Sequence, residues 1–433
     1  MKLIKVFACL LCVMFVIALT SCGLFNKVYN ITLDYNDGSG ETESLVLKTK
    51  EDRTLPKKIV GEKIVEGWYT NPECTVKYDE ENSDNMTVYA KWRSMNKVMF
   101  TADSSNSIND EYVIIENPST VIDRPLRITE KCYILEIKGD GKVCENFSIN
   151  ISDRKDDLCI KFDSFEATGT DNDIISNYSA NFTLHIENKG VSRIRNVNST
   201  GGNALNVTNV KIYGTGTLSF TGGNGASGGS GRNGADAEHG ENGQSGAKGG
   251  SGIVTKNLVV EDVELTVYGG NGGIGGRGGN GNNGTVGKHK NGGRGGDGGM
   301  GGTALITENI EVINCRILCQ GGNGGNGGDG GNGGGDSKAF AGEGGNGGDG
   351  GSGGYGLVYN QLNKVDSYEK FAGGNGGNGG AGGKSERTST DIFHWQTYNY
   401  SGDPGNIGNV PDGSKVIEVE VVEEKKWFSC NCK

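Results

Sequence analysis

The sequence predicts an all-β protein, a small β-grasp-like module followed by a right-handed parallel β-solenoid whose coils carry polyglycine II hairpins. Three observations lead to this prediction. Apolar and polar residues alternate in short runs, a phrase built on one asparagine recurs, and glycine occupies every third position of long inserts. The first pattern is typical of strands, the second of stacked coils and the third of helices with three residues per turn.

The N-terminal segment, residues 1–21, has the pattern of a secretion signal. Two lysines precede an apolar run that ends in LTSC at residues 19–22, and this run is too short to span a membrane. The segment resembles a bacterial lipoprotein signal, which implies cleavage before Cys22 and lipidation of that cysteine. Residues 22–29 are then a lipidated linker, and the chain is anchored to a membrane on its extracellular face. The alternative is an ordinary cleaved signal.

A small module is predicted for residues 30–92, followed by a linker at 93–112. It resembles the Listeria-Bacteroides repeat of internalin B type, which implies a compact β-grasp-like unit serving as a stalk or spacer. Trp68 and Trp92 are interpreted as core anchors, because aromatic residues of so small a domain are mostly buried. The resemblance depends on ITLDYNDGSG at 31–40, GWYTNPECTVKYD at 67–79 and TVYAKW at 87–92.

The repeated phrase predicts the solenoid, residues 113–433. In each copy an asparagine precedes apolar residues that alternate with polar ones, and the copies are 28 to 52 residues apart. We expect one phrase per coil, with the asparagines hydrogen-bonded from coil to coil. An antiparallel sandwich of hairpins is the alternative. In one phrase we expect Phe182, Leu184 and Ile186 to point inward and Thr183 and His185 outward. The asparagines are Asn146, Asn181, Asn209, Asn257 and Asn309, with Gln361 in the equivalent place later.

Glycine-rich inserts enter the later coils. A period of three that fails only near the midpoint of an insert predicts two helical legs joined by a tip, because every third residue of such a helix packs closely against a neighbour. Flexible low-complexity loops are the alternative. The pattern resembles the glycine-triplet domains of the snow-flea antifreeze protein and of certain phage tail-fibre adhesins, whose tip loops bind receptors. The inserts are residues 222–252, 269–302, 321–354 and 373–408.

The fourth insert has an aromatic centre, residues 384–401. Planar rings stack on sugars or pack into protein pockets at a small entropic cost, so this tip is the predicted binding site for a glycan or protein. The alternative is that the rings seal the end of the bundle. The residues concerned are Phe393, His394, Trp395, Tyr398 and Tyr400.

Other chemistry has weaker support in the sequence. A net charge of −11 without basic clusters argues against nucleic-acid binding, and no cofactor is predicted. The GGNGGDGG phrases lack the bulky apolar residue of calcium-binding β-rolls. Three histidines lie near insert centres and are the candidate ligands of a metal site at the tips; exposed histidines of polar loops are the alternative. They are His239, His289 and His394. Outward carboxylates allow a polysaccharide lyase or hydrolase as the alternative function, but no signature links Glu261, Asp262, Glu264 and Glu311.

The remaining cysteines are expected to be structural disulfides or buried thiols, and Cys315 and Cys319 are too far apart along one strand to bridge each other. Together these patterns predict a non-enzymatic cell-surface lipoprotein, an adhesin or display scaffold. A polysaccharide-degrading enzyme and a passive or ice-interacting envelope layer are the alternatives. The eight cysteines after Cys22 are Cys74, Cys132, Cys144, Cys159, Cys315, Cys319, Cys430 and Cys432.

Overall fold

The chain folds into two compact units that meet in sequence between Met95 and Asn96. Within the described residues no helix has the length and apolar character needed to cross a membrane. The computed structural model describes residues 29–47, 55–79, 86–177, 179, 182–235, 238–282, 290–335, 342–385, 401–409, 411 and 414–416.

The first unit contains the strands β1 Tyr29–Asp34, β2 Thr42–Leu47, β3 Ile59–Val60, β4 Lys63–Tyr69 and β5 Met86–Ser94. They form a five-stranded mixed sheet with the order β2-β1-β5-β4-β3. Its central strands β1 and β5 are parallel and the other pairs are antiparallel. Trp68 is 6% exposed and its indole N–H donates to the Pro56 carbonyl oxygen at 3.1 Å. Trp68 is thus a core anchor, as predicted. Trp92 is half-buried against the same apolar core, and its indole N–H donates to the Tyr35 carbonyl oxygen.

The second unit consists of three long sheets in which all the strands are parallel. Each strand pairs with its equivalent in the preceding and following coil, as in a β-solenoid. This confirms the predicted parallel coils and excludes the antiparallel sandwich. The described residues contain one short helix, α1 Pro118–Val121.

The three sheets are numbered here as first, second and third. From residue 126 onward the strands follow in the order third sheet, first sheet, second sheet, whereas the described strands of this unit before that residue lie only in the first and third sheets. The first sheet contains β6 Lys97–Phe100, β8 Tyr112–Glu116, β10 Ile134–Lys138, β13 Leu158–Asp163, β16 Leu184–Lys189, β19 Asn209–Gly214, β22 Asn257–Glu261, β25 Asn309–Ile313 and β28 Gln361–Val365. The second contains β11 Val143–Cys144, β14 Glu166–Gly169, β17 Val191–Asn196, β20 Thr217–Thr221, β23 Glu264–Tyr268, β26 Arg316–Gln320 and β29 Tyr368–Ala372. The third contains β7 Ser107–Ile108, β9 Leu126–Ile128, β12 Ile149–Ile151, β15 Asp173–Asn177, β18 Asn203–Val207, β21 Ile253–Val254, β24 Leu305–Ile306, β27 Leu357–Tyr359 and β30 Ser414–Val416.

The predicted linker, residues 93–112, contains part of the solenoid. Strands β6 and β7 lie in it and pair with β8 and β9. Phe100 and Ile108 are buried in the same core as the later coils. The first coil lacks the repeated asparagine phrase, and Met99 in its edge strand is 47% exposed. Its sequence therefore has neither of the patterns from which the coils were predicted.

Alternating side chains fill the core of the solenoid. Leu184 and Ile186 are fully buried there, and Phe182 is 3% exposed, as expected. Thr183 and His185 lie outside the apolar core cluster, but they are also buried. Asp157 pairs with polar groups of both residues: its carboxylate accepts the Thr183 backbone N–H at 2.8 Å and contacts the His185 ring nitrogen Nε2 at 3.1 Å.

An asparagine ladder joins the later coils. The Asn257 side-chain Nδ2 donates to Asn209 Oδ1, and Asn309 Nδ2 donates to Asn257 Oδ1, both at 2.8 Å. The predicted ladder is thus confirmed for these three residues. Asn146 is instead a left-handed corner residue with φ 56°, and Asn181 lies outside the described residues.

The six described cysteines are free thiols, and Cys315 and Cys319 do not bridge each other. Burial raises the pKa of Cys132 to about 12 and that of Cys159 to about 11. Such thiols are packing residues rather than nucleophiles, because the thiolate is the reactive form. Cys430 and Cys432 lie outside the described ranges.

We predict that Asn257→Ala lowers the free energy of unfolding by about 2 kcal/mol, because it removes the donor to Asn209 Oδ1 and the acceptor of Asn309 Nδ2 at half-buried positions. The urea midpoint of the far-ultraviolet circular dichroism signal measures the loss. Asn363→Ala, at an exposed position of β28, is the control and should change stability by less than about 0.5 kcal/mol. Equal midpoints for the two variants would show that the ladder adds no stability.

Candidate functional site: the glycine-rich bundle

Four glycine-rich hairpins leave the solenoid at one corner, each after a strand of the second sheet and before a strand of the third. Each has an outgoing and a return leg. One set of hydrogen bonds joins each outgoing leg to the next outgoing leg and each return leg to the next return leg, so that the eight legs form two rows. A second set joins the two rows. The legs are 222–235 and 238–252 (hairpin 1), 269–282 and 290–302 (hairpin 2), 321–335 and 342–354 (hairpin 3), and 373–385 and 401–409 (hairpin 4).

Each triplet of an interior leg has three roles, which we name row, cross and outer positions. The row residue Gly272 donates its N–H to Asn323 O of the next outgoing leg at 2.8 Å. The cross residue Gly273 donates to Ala247 O of a return leg, also at 2.8 Å. The outer residue Asn271 donates its N–H to Asn224 Oδ1 at 2.8 Å. All three N–H groups of the triplet are therefore paired.

The outer position explains why asparagine accompanies glycine. The outer N–H of Asn271 is paired with a side chain rather than with a backbone oxygen, and a short side chain with an acceptor suits this position. Asparagine does so in a column of hairpins 1 to 4, where Asn271, Asn323 and Asn375 each donate to the preceding asparagine. Aspartate fills the same role, because Asp349 Oδ1 accepts the Asn406 N–H at 2.7 Å.

Below the ends of the legs, the row and cross positions of hairpins 2 and 3 are occupied by glycine alone. A Cβ on Gly272 would lie 1.9 Å from Gly299 O, and one on Gly273 would lie 1.8 Å from Ala226 O. These obstacles are backbone atoms, which cannot rotate aside. The absence of side chains is thus a condition for the hydrogen bonds between the legs.

Hairpin 1 forms one edge of the bundle, and the residues at its cross positions reflect this. Its cross positions face away from the other legs, and Ala226, Arg232, Glu241 and Gln244 occupy four of them. A Cβ on Gly229 would meet only the flexible Gln244 side chain, at 3.0 Å. The looser glycine pattern of the first insert, compared with Gly-Gly-X in the second and third, was the available signal for an edge hairpin.

The four hairpin ends are adjacent. At the far end of the outgoing row, Gly234 donates to Asn280 O, Gly281 to Asn332 O and Gly333 to Lys384 O. In every hairpin the described outgoing and return legs end close to the residues where the glycine period fails, in agreement with the predicted pair of legs. The tips themselves, with Phe393, His394, Trp395, Tyr398 and Tyr400, lie outside the described residues, as does Cys22, so the predicted binding and lipidation sites stay predictions.

In the bundle, the described residues that were considered as metal or calcium ligands have other hydrogen-bonding roles. His239 has the role of an outer asparagine, since its Nδ1 accepts the Asn291 N–H at 3.0 Å. His289 and His394 lie outside the described residues. Asp329 Oδ1 accepts the Ala381 N–H at 2.8 Å. Across the described part of the chain, no three His, Cys, Asp or Glu side chains are grouped as metal ligands.

The carboxylates considered for polysaccharide cleavage are distributed over two sheets. Glu261 and Glu311 lie in the first sheet and Glu264 in the second, and Asp262 is a corner residue with φ 56°. Glu261 pairs with Lys211 at 2.9 Å and Glu264 with Arg316 at 3.3 Å. These pairs repeat between neighbouring coils, as surface ion pairs do in a regular stack.

We predict that Gly276→Ala disrupts the bundle, because its Cβ would lie 2.0 Å from Gly229 O. The expected cost is at least about 3 kcal/mol, measured as loss of hydrogen-exchange protection at the Gly273 and Gly296 amides. Gly229→Ala is the matched control, a cross position of the neighbouring leg where the added Cβ would meet only the flexible Gln244 side chain. It should cost less than about 1 kcal/mol, and a similar loss in both variants would contradict the packing described.

No known family model matches this chain, and no curated protein matches it. One similar solved structure is the springtail antifreeze protein from Granisotoma rainieri, a nine-helix polyproline type II bundle. It has 26% sequence identity over 43% of this chain and 95% of its own, with a TM-score of 0.13. The resemblances to the Listeria-Bacteroides repeat, to phage adhesins and to a lipoprotein signal therefore stay predictions.

Proposed function

We propose that this protein is a non-enzymatic cell-surface lipoprotein whose glycine bundle displays binding tips to a glycan or a protein. In this proposal the parallel coils form a right-handed solenoid, since parallel crossovers take that hand in nearly all cases. The legs are polyglycine II helices, which match their hydrogen-bond period of three. The small N-terminal unit is a β-grasp-like spacer between the bundle and a lipid anchor at Cys22.

One observation carries the proposal, the register of the four hairpins. The hydrogen bonds between legs continue in register to Gly234, Gly281 and Gly333, so the four tips are attached side by side on a rigid support. A leg of twelve residues extends about 37 Å at 3.1 Å per residue. A rigid support reduces the entropy lost when an exposed loop binds a partner.

The tips differ in a way that suits recognition. In hairpin 1 five residues, 235–239, connect Gly234 to Gly240, and in hairpin 4 fifteen residues, 386–400, connect the equivalent positions Ser385 and Ser401. The longer connection contains the aromatic cluster. Aromatic and polar residues at the end of a rigid scaffold are the composition of many binding loops.

We predict that replacing residues 386–400 with the five residues 235–239 removes binding while the bundle remains intact. The replacement joins positions that are equivalent in the hydrogen-bond pattern of the bundle. The amides of Gly324 and Gly327 should therefore keep their protection from hydrogen exchange. Binding is measured on a panel of immobilised glycans and envelope proteins, with Trp395→Ala as the milder variant. Undiminished binding by the shortened chain would favour the outer faces of the bundle, as in a passive or ice-interacting layer.

We predict that Cys22→Ser releases the protein from the membrane, because the net charge of −11 gives no attraction to anionic lipids and the lipid supplies the attachment. The measurement is partition of the expressed full chain between detergent and aqueous phases. Wild type should enter the detergent phase and the variant the aqueous phase. Identical partition of both would contradict lipidation at Cys22.

A further inference from the structure

The return leg of hairpin 4 departs from the rule that governs the interior legs. In hairpin 3 the row residues Gly347 and Gly350 donate their N–H groups to Asp403 O and Asn406 O. A Cβ at either position would lie 2.0 Å from a carbonyl oxygen of the next outgoing leg. The equivalent row positions of hairpin 4 are Pro404 and Ile407.

These two residues fail both requirements of a row position. Pro404 has no N–H to donate. Ile407 has a branched side chain attached to the Cβ that, in an interior leg, would overlap the backbone of the next leg, and it is 74% exposed. A proline and an exposed isoleucine are therefore placed where a ninth leg would pack.

The outgoing leg of the same hairpin remains able to pair. Its sequence GGNGGNGG, residues 373–380, is identical to residues 321–328 of hairpin 3. Gly324 and Gly327 donate to Asn375 O and Asn378 O. Among the described residues, their equivalents Gly376 and Gly379 have no acceptor for the N–H.

We propose that Pro404 and Ile407 terminate the hydrogen-bonded array of glycine-rich legs. They keep the exposed edge of the bundle, formed by hairpin 4, from binding a further glycine-rich leg. The partner excluded is an extended Gly-Gly-X chain with three residues per turn, the class of segment that the outgoing leg is built to pair with. The device corresponds to the prolines and bulges that protect edge strands of β-sheets from unwanted pairing. This inference is independent of the proposed display function.

The test is gain of binding in the double variant Pro404→Gly/Ile407→Gly of the full chain. The probe is the synthetic peptide (Gly-Gly-Asn)5, and the readout is amide hydrogen exchange at Gly376, Gly379 and Gly382. We expect the peptide to slow exchange at these amides by about fivefold or more in the variant, as new hydrogen bonds form. We expect no slowing in the wild type.

Ile274→Gly is the matched control. Ile274 is also an exposed isoleucine of the bundle, at 53%, but it occupies an outer position, so its removal should not create peptide binding. Equal protection of the wild type and the double variant would overturn the proposal, as would absence of protection in a double variant whose Gly402 and Gly405 amides are still slow to exchange.

A second variant keeps the proposal testable if the double variant loosens its last leg. Gly347→Pro/Gly350→Ile moves the terminator one hairpin earlier. We expect hairpin 4 to detach, seen as loss of protection at the Gly377 and Gly380 amides, while Gly273 and Gly276 in hairpin 2 stay protected. A hairpin 4 that remains seated in this variant would show that these side chains do not block a following leg.

Discussion

Close contact between bare backbones is the constraint on which the rest of the bundle depends. Interior legs approach so closely that a Cβ at a row or cross position would overlap a carbonyl oxygen of a neighbour. Ordering each residue costs about 1–2 kcal/mol of backbone entropy, and each hydrogen bond returns about 1 kcal/mol net. Such legs therefore depend on pairing most of their N–H groups. The row and cross N–H groups of hairpin 2 are all bonded to backbone oxygens, and asparagine or aspartate side chains accept further outer N–H groups.

The solenoid supplies the register that this pairing requires. Asn257 and Asn309 pair across neighbouring coils at a separation of 52 residues, and outer positions of hairpins 2 and 3 pair at the same separation, as Asn271 and Asn323 do. The coil that carries a hairpin therefore fixes its height relative to its neighbours. Each outgoing leg begins directly after a strand of the second sheet, as Gly269 follows β23. The legs therefore start in register with one another.

Much of this architecture was predictable because it is periodic. The period of three and its central failures predicted paired legs, and the repeated phrase predicted parallel coils and the ladder of Asn209, Asn257 and Asn309. The first coil was missed because it lacks both patterns. The burial of His185 was missed because it depends on Asp157, whose position relative to the strand is set by the fold rather than by spacing.

The roles of single residues at the edges were also beyond the sequence pattern. Glycine at every third position identifies a leg, but the number of neighbours a leg has decides which of its other positions accept side chains. Arg232 and Glu241 are tolerated at cross positions because their hairpin is the first. In the sequence, Pro404 and Ile407 are interruptions of the glycine pattern. Only the hydrogen bonds between the legs identify them as the row positions of the last leg.

Variation in length is confined to the ends of the hairpins. Outer positions of hairpins 1 and 2 pair at a separation of 47 residues on the outgoing side, as Asn224 and Asn271 do, and at 52 on the return side, as Asn242 and Arg294 do. The five additional residues therefore lie between the legs of hairpin 2, and the lattice is undisturbed by them. Because the row and cross N–H groups of hairpin 2 are already paired below its tip, that tip can change in length and composition without a cost in the legs. A scaffold with this property separates the residues that give stability from those free to bind, which is the physical basis for expecting recognition at the tips.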